Sequence, residues 1–329
     1  MKKPRILVIK LAALGDMIQA FAAMARIRAA HRDAEITLLT TPPFAALAKA
    51  SPYVDRVETD GRPKTLGAAL AMLWRLRRAG YERVYDLQTS DRSGAYFQAL
   101  RPFPPEWSGI ARGCSHPHNN PDRDRMHTLE RQADQLRFAG IWPDAPSAAG
   151  TAPPPDLSWL LADATPERQP AHFGLKPPFV LLIPGASPQR PGKRWLAGDY
   201  GTLAARLAGL GLDVGVVGGL AEADIAKTVL ALAPAAKDLT GRTDLVQLAA
   251  LGAKAVLAVG NDTGPTHLVA AAGAPTLALF SSESNPALCA PRGRTVRVLA
   301  APTLTELSAE TVGAAAEALF RASGAVGSA

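Results

Sequence analysis

The feature that most constrains this chain is an alternation of apolar runs and helix-period segments that occurs twice, on either side of one proline-rich stretch. Arg5 to Lys10 is a continuous apolar run, and from Gly15 to Ala30 the positions Met17, Ile18, Phe21, Met24, Ala25 and Ile27 follow helical spacing. The pattern repeats with Glu35 to Thr40, a short helix near Phe44 to Ala50, Val54 to Thr59, the long segment Leu66 to Arg78, and Arg83 to Gln88. Strands that recur between helices and are apolar throughout belong to a parallel sheet covered on both faces.

From Asp144 to Pro178 the chain turns rich in Pro and Ala, including Ala-Pro-Pro-Pro-Asp at 152–156, which disfavours helices and central strands and marks a linker. A second series starts with the strand Phe179 to Ile183. It continues with a helix from Leu196 to Ala208, the strand Leu212 to Val217, helices over Glu222 to Leu232 and Leu245 to Leu251, the strand Ala255 to Val259, a helix over Thr266 to Ala272 and the strand Thr276 to Phe280. A last helix is expected over Thr305 to Arg321. The 329 residues suit two domains at roughly 100 to 200 residues each. The expected division is 1–165 and 166–329.

The 47% hydrophobic and 20% charged composition is that of a globular chain. Cys114 and Cys289 give neither a disulfide framework nor a metal-ligand spacing, which fits a reducing compartment. The opening Met-Lys-Lys-Pro-Arg imitates the start of a signal peptide, but Lys10 and Asp16 interrupt the apolar run and no cleavage site follows. No apolar stretch approaches the ~20 residues of a membrane span, so the expectation is a cytoplasmic protein with at most peripheral membrane contact. A net charge of +7 favours an anionic partner without choosing among nucleotide diphosphate, phosphorylated lipid and nucleic acid. No aromatic interleaving or RNA-binding motif supports the last of these.

Three motifs lie where strands end. Lys10-Leu-Ala-Ala-Leu-Gly-Asp-Met passes from a strand through a one-glycine loop into a helix. Asp16 there reads equally as an N-terminal cap or as a general base, and Gly15 permits close approach. The absence of Gly-x-Gly-x-x-Gly argues against a dinucleotide oxidoreductase. Pro184-Gly185-Ala186-Ser187, with Lys193-Arg194-Trp195, offers backbone N–H groups, a hydroxyl and cations suited to a diphosphate, though not in Walker spacing. Gly260-Asn261-Asp262-Thr263-Gly264-Pro265-Thr266-His267 carries a strand into a helix whose N-terminus faces an anion.

These motifs, in this order and over most of the chain, resemble glycosyltransferase family 9, the heptosyltransferases. The resemblance implies a GT-B fold, two Rossmann-like doubly wound parallel-sheet domains facing a cleft, with the last helix able to cross back to the first domain. It implies an inverting transfer of heptose from ADP-heptose, a donor substrate rather than a cofactor, to an anionic lipopolysaccharide inner-core acceptor such as Kdo-lipid A, with Asp16 as catalytic base. Ser187, Lys193, Arg194, Glu222, Asp262, Thr263, Gly264 and His267 are then expected on the donor. Glu222 also reads as an ordinary acid in a first helical turn. Lys10, Gly15, Arg123, Arg125 and His127 are expected on the acceptor, within a stretch from Arg112 to Arg131 dense in Arg and His. Arg75, Arg77 and Arg78 read as a solvated helix face. No metal site is expected: Asp122-Arg123-Asp124 matches an Asp-x-Asp pattern but lies in a polar stretch and not after an apolar strand. The expected state is a monomer. The competing readings are a noncatalytic nucleotide-sugar binding protein and a related transferase with another donor sugar or a protein acceptor.

Overall fold

The computed structural model describes residues 3–162 and 165–323. The chain divides into two compact units, Met1–Pro153 and Pro154–Ala329.

The first unit contains β1 (Arg5–Ile9), α1 (Leu14–Ala30), β2 (Glu35–Leu39), α2 (Ala45–Ala50), β3 (Arg56–Glu58), α3 (Leu66–Ala79), β4 (Arg83–Asp86), α4 (Asp91–Ala99), β5 (Glu106–Gly109), β6 (His116–Pro117) and α5 (Thr128–Phe138). Its six strands pair in parallel in the order β3-β2-β1-β4-β5-β6.

The second unit contains α6 (Ser158–Leu161), β7 (Phe179–Ile183), α7 (Ala197–Gly209), β8 (Asp213–Val216), α8 (Ala223–Leu232), β9 (Lys237–Asp238), α9 (Leu245–Lys254), β10 (Leu257–Asn261), α10 (Gly264–Ala272), β11 (Thr276–Phe280), α11 (Pro286–Cys289), β12 (Val296–Ala300) and α12 (Ala309–Ala322). Its order, β12-β11-β10-β7-β8-β9, is again all parallel and is the first unit's order written from the other end. Both sheets are therefore doubly wound, with the chain reversing direction between β1 and β4 and between β7 and β10. The crevice at the carboxyl ends of such strand pairs is where open α/β sheets bind ligands.

The apolar runs form strands because helices cover both sheet faces. Leu7, Ile9, Val84 and Trp107 are fully buried in the first unit, as are Val180, Leu182, Val259 and Leu277 in the second. The division falls earlier than position 165 because α6 and the turn Pro166–Arg168 both pack on α9. The final helix, α12, packs on α7, β10 and β11 of the second unit. Among the described residues no helix is long and apolar enough to cross a membrane.

Replacing Leu182 with Ala in β7 removes a fully buried side chain at the reversal point of the second sheet. Urea unfolding followed by circular dichroism should show the second unit destabilised by about 2–5 kcal/mol. An unshifted transition would contradict this assignment of the core.

Candidate functional site

In the first unit, the carboxyl ends of β1 and β4 open into a cavity of about 230 Å³. It is lined by Lys10 after β1, Asp16 in α1, Leu87-Gln88-Thr89 after β4, Arg123 and Asp124 in a turn, and Arg131, Gln132 and Gln135 on one face of α5. Short loops fix this wall. Gln88 Oε1 accepts the N–H groups of Leu11 (2.8 Å) and Ala12 (3.2 Å), which ties the β4 loop to the β1 loop. Asp16 Oδ2 accepts the Ala13 N–H at 3.0 Å, so the carboxylate is held at the mouth of α1 and remains partly exposed. Thr89 has φ +45°, a conformation disfavoured for a β-branched residue. Such strain persists where surrounding bonds overrule it, as the Thr89 N–H to Asp86 Oδ1 bond of 3.0 Å helps to do.

The cavity is lined by three cationic side chains, Lys10, Arg123 and Arg131, and by two carboxylates, Asp16 and an Asp124 that is paired with Arg123 at 2.7 Å. Lys10 is buried and donates to the Leu87 carbonyl at 3.2 Å. Burial pushes its ammonium below the ordinary range, Asp16 and Asp86 draw it back up, and Arg131 opposes them. Asp86, wholly buried at the end of β4, is raised by burial to about 6, and the N–H groups of Thr89 and Gln88 with the Lys10 charge offset only part of that rise. Gln132 is 4% exposed, and its buried Oε1 has no hydrogen-bond partner among the described residues. Because it lines the cavity, its amide is placed to bond whatever enters.

In the second unit the corresponding crevice lies between the ends of β7 and β10. Asn261, fully buried at the end of β10, organises it: its Oδ1 accepts from the Trp195 N–H and the Tyr200 hydroxyl at 3.2 and 3.0 Å, and its Nδ2 donates to the carbonyls of Pro184 and Gly185 at 2.8 and 3.3 Å. The next residue, Asp262, receives Lys193 Nζ at 2.5 Å and Ser284 Oγ at 2.6 Å, with His267 Nε2 3.6 Å from its other oxygen. Burial alone would raise this carboxyl, but the His267, Lys193 and Ser284 bonds prevail and hold it well below the usual carboxylate range. Thr263 caps α10 with its backbone and makes no side-chain capping bond, and Gly264 is the first helical residue. Pro265 has no N–H and those of Thr266 and His267 go to the Thr263 carbonyl, so it is the Gly264 N–H and the positive end of the α10 dipole that face the crevice, the geometry that receives phosphate.

Glu222 stands over the ends of β7 and β8. Its Oε2 accepts the Gly219 N–H at 2.9 Å, and Arg194 lies 3.9 Å from its other oxygen. Only glycine leaves it room: a Cβ at Gly218 would come within 2.9 Å of the Glu222 Cβ, and one at Gly185 within 3.1 Å of its Cγ and Cδ. Ser187 is exposed and donates to Gln189 Oε1 at 2.6 Å.

Of the residues singled out in the sequence, Lys10, Asp16 and Arg123 are brought together around the first cavity. Lys193, Asp262 and His267 meet in the second unit, with Thr263 and Gly264 adjoining them at the start of α10. Arg125 and His127 do not line the cavity. Arg125 points outward, its side chain 88% exposed and 3.7 Å from Asp122. His127 is buried as the N-cap of α5, where its Nδ1 accepts the Leu129 N–H at 3.2 Å and lies 3.2 Å from Glu130 Oε2. Gly15 is buried in the first turn of α1. Asp124 of the Asp-x-Asp triplet turns back on Arg123 at 2.7 Å. Arg131 ends the Arg- and His-dense stretch and does line the cavity, whereas Gln88, Thr89, Gln132, Gln135 and Ser284 carry no signal of their own in the sequence; Gln132 and Gln135 become visible only once α5 is recognised, as neighbours of Arg131 on one helical face.

Two doubly wound parallel-sheet units, one with a cation-lined cavity and the other with a phosphate-suited helix mouth, are the architecture of the GT-B class. A family model described as glycosyltransferase family 9 (heptosyltransferase) matches residues 70–311, and the chain belongs to that family. Lipopolysaccharide heptosyltransferase 2 of Salmonella typhimurium is 26% identical over 315 residues, covering 90% of this chain and 87% of that protein. The structure of E. coli ADP-heptose LPS heptosyltransferase II superposes with a TM-score of 0.80 at 23% identity, covering 97% of this chain and 99% of that one. A family 9 glycosyl transferase from Veillonella parvula gives a TM-score of 0.80 at 21% identity, covering 97% of each chain.

The raised Asp86 carboxyl has a pH consequence. The folded state keeps the proton up to about 6 whereas the ordinary value is 3.8, so the stability that Asp86 contributes is full below 3.8 and is lost as pH rises through about 6. Wild-type stability should therefore fall relative to Asp86→Asn as pH rises from 3.8 through about 6, because the variant has no proton to lose at this position. Urea midpoints of both proteins across the window test this, and a pH-independent difference would contradict it. Lys193→Ala should weaken ADP binding and also lower the melting temperature, because it leaves the buried Asp262 carboxylate without its cation. Adding Asp262→Asn should restore stability but not ADP affinity; full recovery of ADP affinity in calorimetry would remove Lys193 from donor binding.

Proposed function

We propose that this chain is an inverting heptosyltransferase that moves a heptose from ADP-heptose onto an anionic inner-core acceptor of lipopolysaccharide, with Asp16 as general base. The observation that carries this reading is the first-unit cavity, where the partly exposed Asp16 carboxylate stands among Lys10, Arg123 and Arg131, the second lining carboxylate, Asp124, being paired with Arg123. Three cations suit the carboxylate or phosphate groups of a sugar acid or phosphorylated sugar. The Ala13 N–H bond fixes Asp16 and leaves its second oxygen to take a proton.

In the reaction an acceptor hydroxyl attacks the anomeric carbon of the donor from the side opposite the diphosphate. Asp16 accepts the hydroxyl proton as the new C–O bond forms. The bond from the anomeric carbon to the β-phosphate oxygen breaks, and its electron pair leaves with ADP. Charge that grows on the leaving diphosphate is met by Lys193 and by the Gly264 N–H and dipole at the start of α10. Asp262 holds the Lys193 ammonium beside the start of α10, so the cation is positioned for the diphosphate while it keeps its carboxylate partner. Glu222, braced by Gly185, Gly218 and Gly219 at the strand ends, is placed to accept hydroxyl hydrogens from the nucleotide ribose. Arg194, donating to the Ala186 carbonyl at 2.9 Å, stiffens the loop that faces the diphosphate. The known relatives support the donor and the acceptor class, one being named a lipopolysaccharide heptosyltransferase and another an ADP-heptose enzyme.

Asp16→Asn keeps the size and the capping oxygen and removes the base. Its kcat should fall by about 10²- to 10⁴-fold while ADP affinity is unchanged. Near-normal turnover would remove Asp16 from the role.

A further inference from the structure

Helix α3 carries two apolar stripes where a surface helix needs one. Met72 and Leu76 point into the first unit's core, partly covered by Leu73 and Ala79. On the other side Leu66, Leu70 and Trp74 are 76%, 57% and 62% exposed. Their spacing of four residues places them on one face, where a helix packed on a sheet ordinarily presents polar groups. Phe103, 88% exposed, extends this surface: it lines a shallow depression together with Arg77 and Gly80 at the end of α3, and Arg77 donates to the Leu100 carbonyl at 2.5 Å.

Positive charge predominates around this face. α3 contains Arg75, Arg77 and Arg78 and no acidic residue, and Lys64 precedes it. The nearby acids Glu58 and Asp60 are both bound by Arg75, at 2.8 and 2.5 Å. Arg78 stacks over the Trp74 ring at 5.1 Å, so its cation lies against the aromatic at the edge of the apolar stripe. Exposed Leu and Trp side chains bordered by Arg are the composition of a helix that lies in the interface of an anionic bilayer. The stripe begins at the edge of the sheet on which the cavity opens: α3 follows β3, and the segment before it is fixed to the carboxyl edge of the sheet by the Gly61 N–H to Thr40 carbonyl bond of 3.0 Å and by Tyr96 donating to the Gly61 carbonyl at 2.7 Å.

We propose that the outer face of α3, with Phe103, docks the protein on an anionic phospholipid surface, presenting the first-unit cavity to an acceptor held in that surface. This deepens the reading above and rests on it for the identity of the acceptor, but not for the lipid contact itself. Apolar side chains supply contact with the acyl boundary, and Arg78 with Lys64 supplies the preference for anionic headgroups.

The test is flotation of the full-length protein with phosphatidylcholine vesicles and with phosphatidylcholine–phosphatidylglycerol vesicles, with turnover on a water-soluble truncated acceptor measured in parallel. Wild type should float with the anionic vesicles, less with the zwitterionic ones, and less at high salt. Leu70→Gln/Trp74→Gln should cut partitioning by at least about tenfold, and Arg78→Glu should cut it on the anionic vesicles alone. Turnover on the soluble acceptor should be unchanged in both variants. Wild type that floats with neither vesicle, or a double variant that floats like wild type, would overturn the proposal. So would loss of soluble-acceptor turnover in step with lipid binding, or a wild-type dimer that the double variant makes monomeric, which would assign the face to a second copy of this chain. Wild-type protein that floats but turns over no acceptor would count against the transferase reading and leave the lipid face standing.

Discussion

Everything at the first cavity depends on accommodating a buried ammonium at the end of the first strand. Lys10 sits at 4% exposure, and a buried cation is tolerated only where opposite charge and hydrogen-bond acceptors surround it. Asp16, Asp86 and the Leu87 carbonyl supply them, and each comes from an element set by the doubly wound topology: the helix after β1 and the end of β4. The same arrangement leaves Asp16 at the rim with its carboxylate accessible and puts Arg123 and Arg131 opposite. Burial raises the Asp86 carboxyl while the Lys10 charge draws it back down, and Asp16, at the rim, is offered to the cavity.

The second unit solves a related problem with a different assignment. There the buried group is a carboxylate, Asp262, and its partners are Lys193, Ser284 and His267. Asn261, one residue earlier, spends its amide on the backbone and on Tyr200, so that the β7 loop and the mouth of α10 are held in register before any ligand arrives. Such preorganisation is the condition under which fixed dipoles and cations stabilise a developing phosphate charge.

The strands buried on both faces were legible in the sequence, because continuous apolar runs such as Phe179 to Ile183 admit few other folds. The doubly wound class followed from their alternation with helices. Less legible were β5, β6 and β12, where short length, glycine or interspersed arginine masks the pattern, as in Val296–Ala300. Asp16, Lys10, Lys193 and Asp262 could be read because each lies next to a strand end. Arg123 and Arg125 could not be separated: they are two residues apart in a tight turn, where about three residues complete a revolution, so one faces the cavity and the other solvent. Gln88 and Gln132 escaped because a neutral amide gives no pattern, and its use appears only when β4 and α5 meet. The outer face of α3 escaped for the opposite reason, since apolar residues on a helix read as core until their exposure is seen.

The central claim is that sugar leaves a nucleotide diphosphate only when an oxygen nucleophile is presented with it. The most direct measurement is incubation of the protein with ADP-heptose, alone and with a panel of truncated inner-core acceptors, following ADP release and product mass together. The account predicts ADP release in step with an acceptor one heptose heavier, and negligible release without acceptor. Equal ADP release with and without acceptor, or no heptosylated product from any core acceptor in the panel, would contradict it.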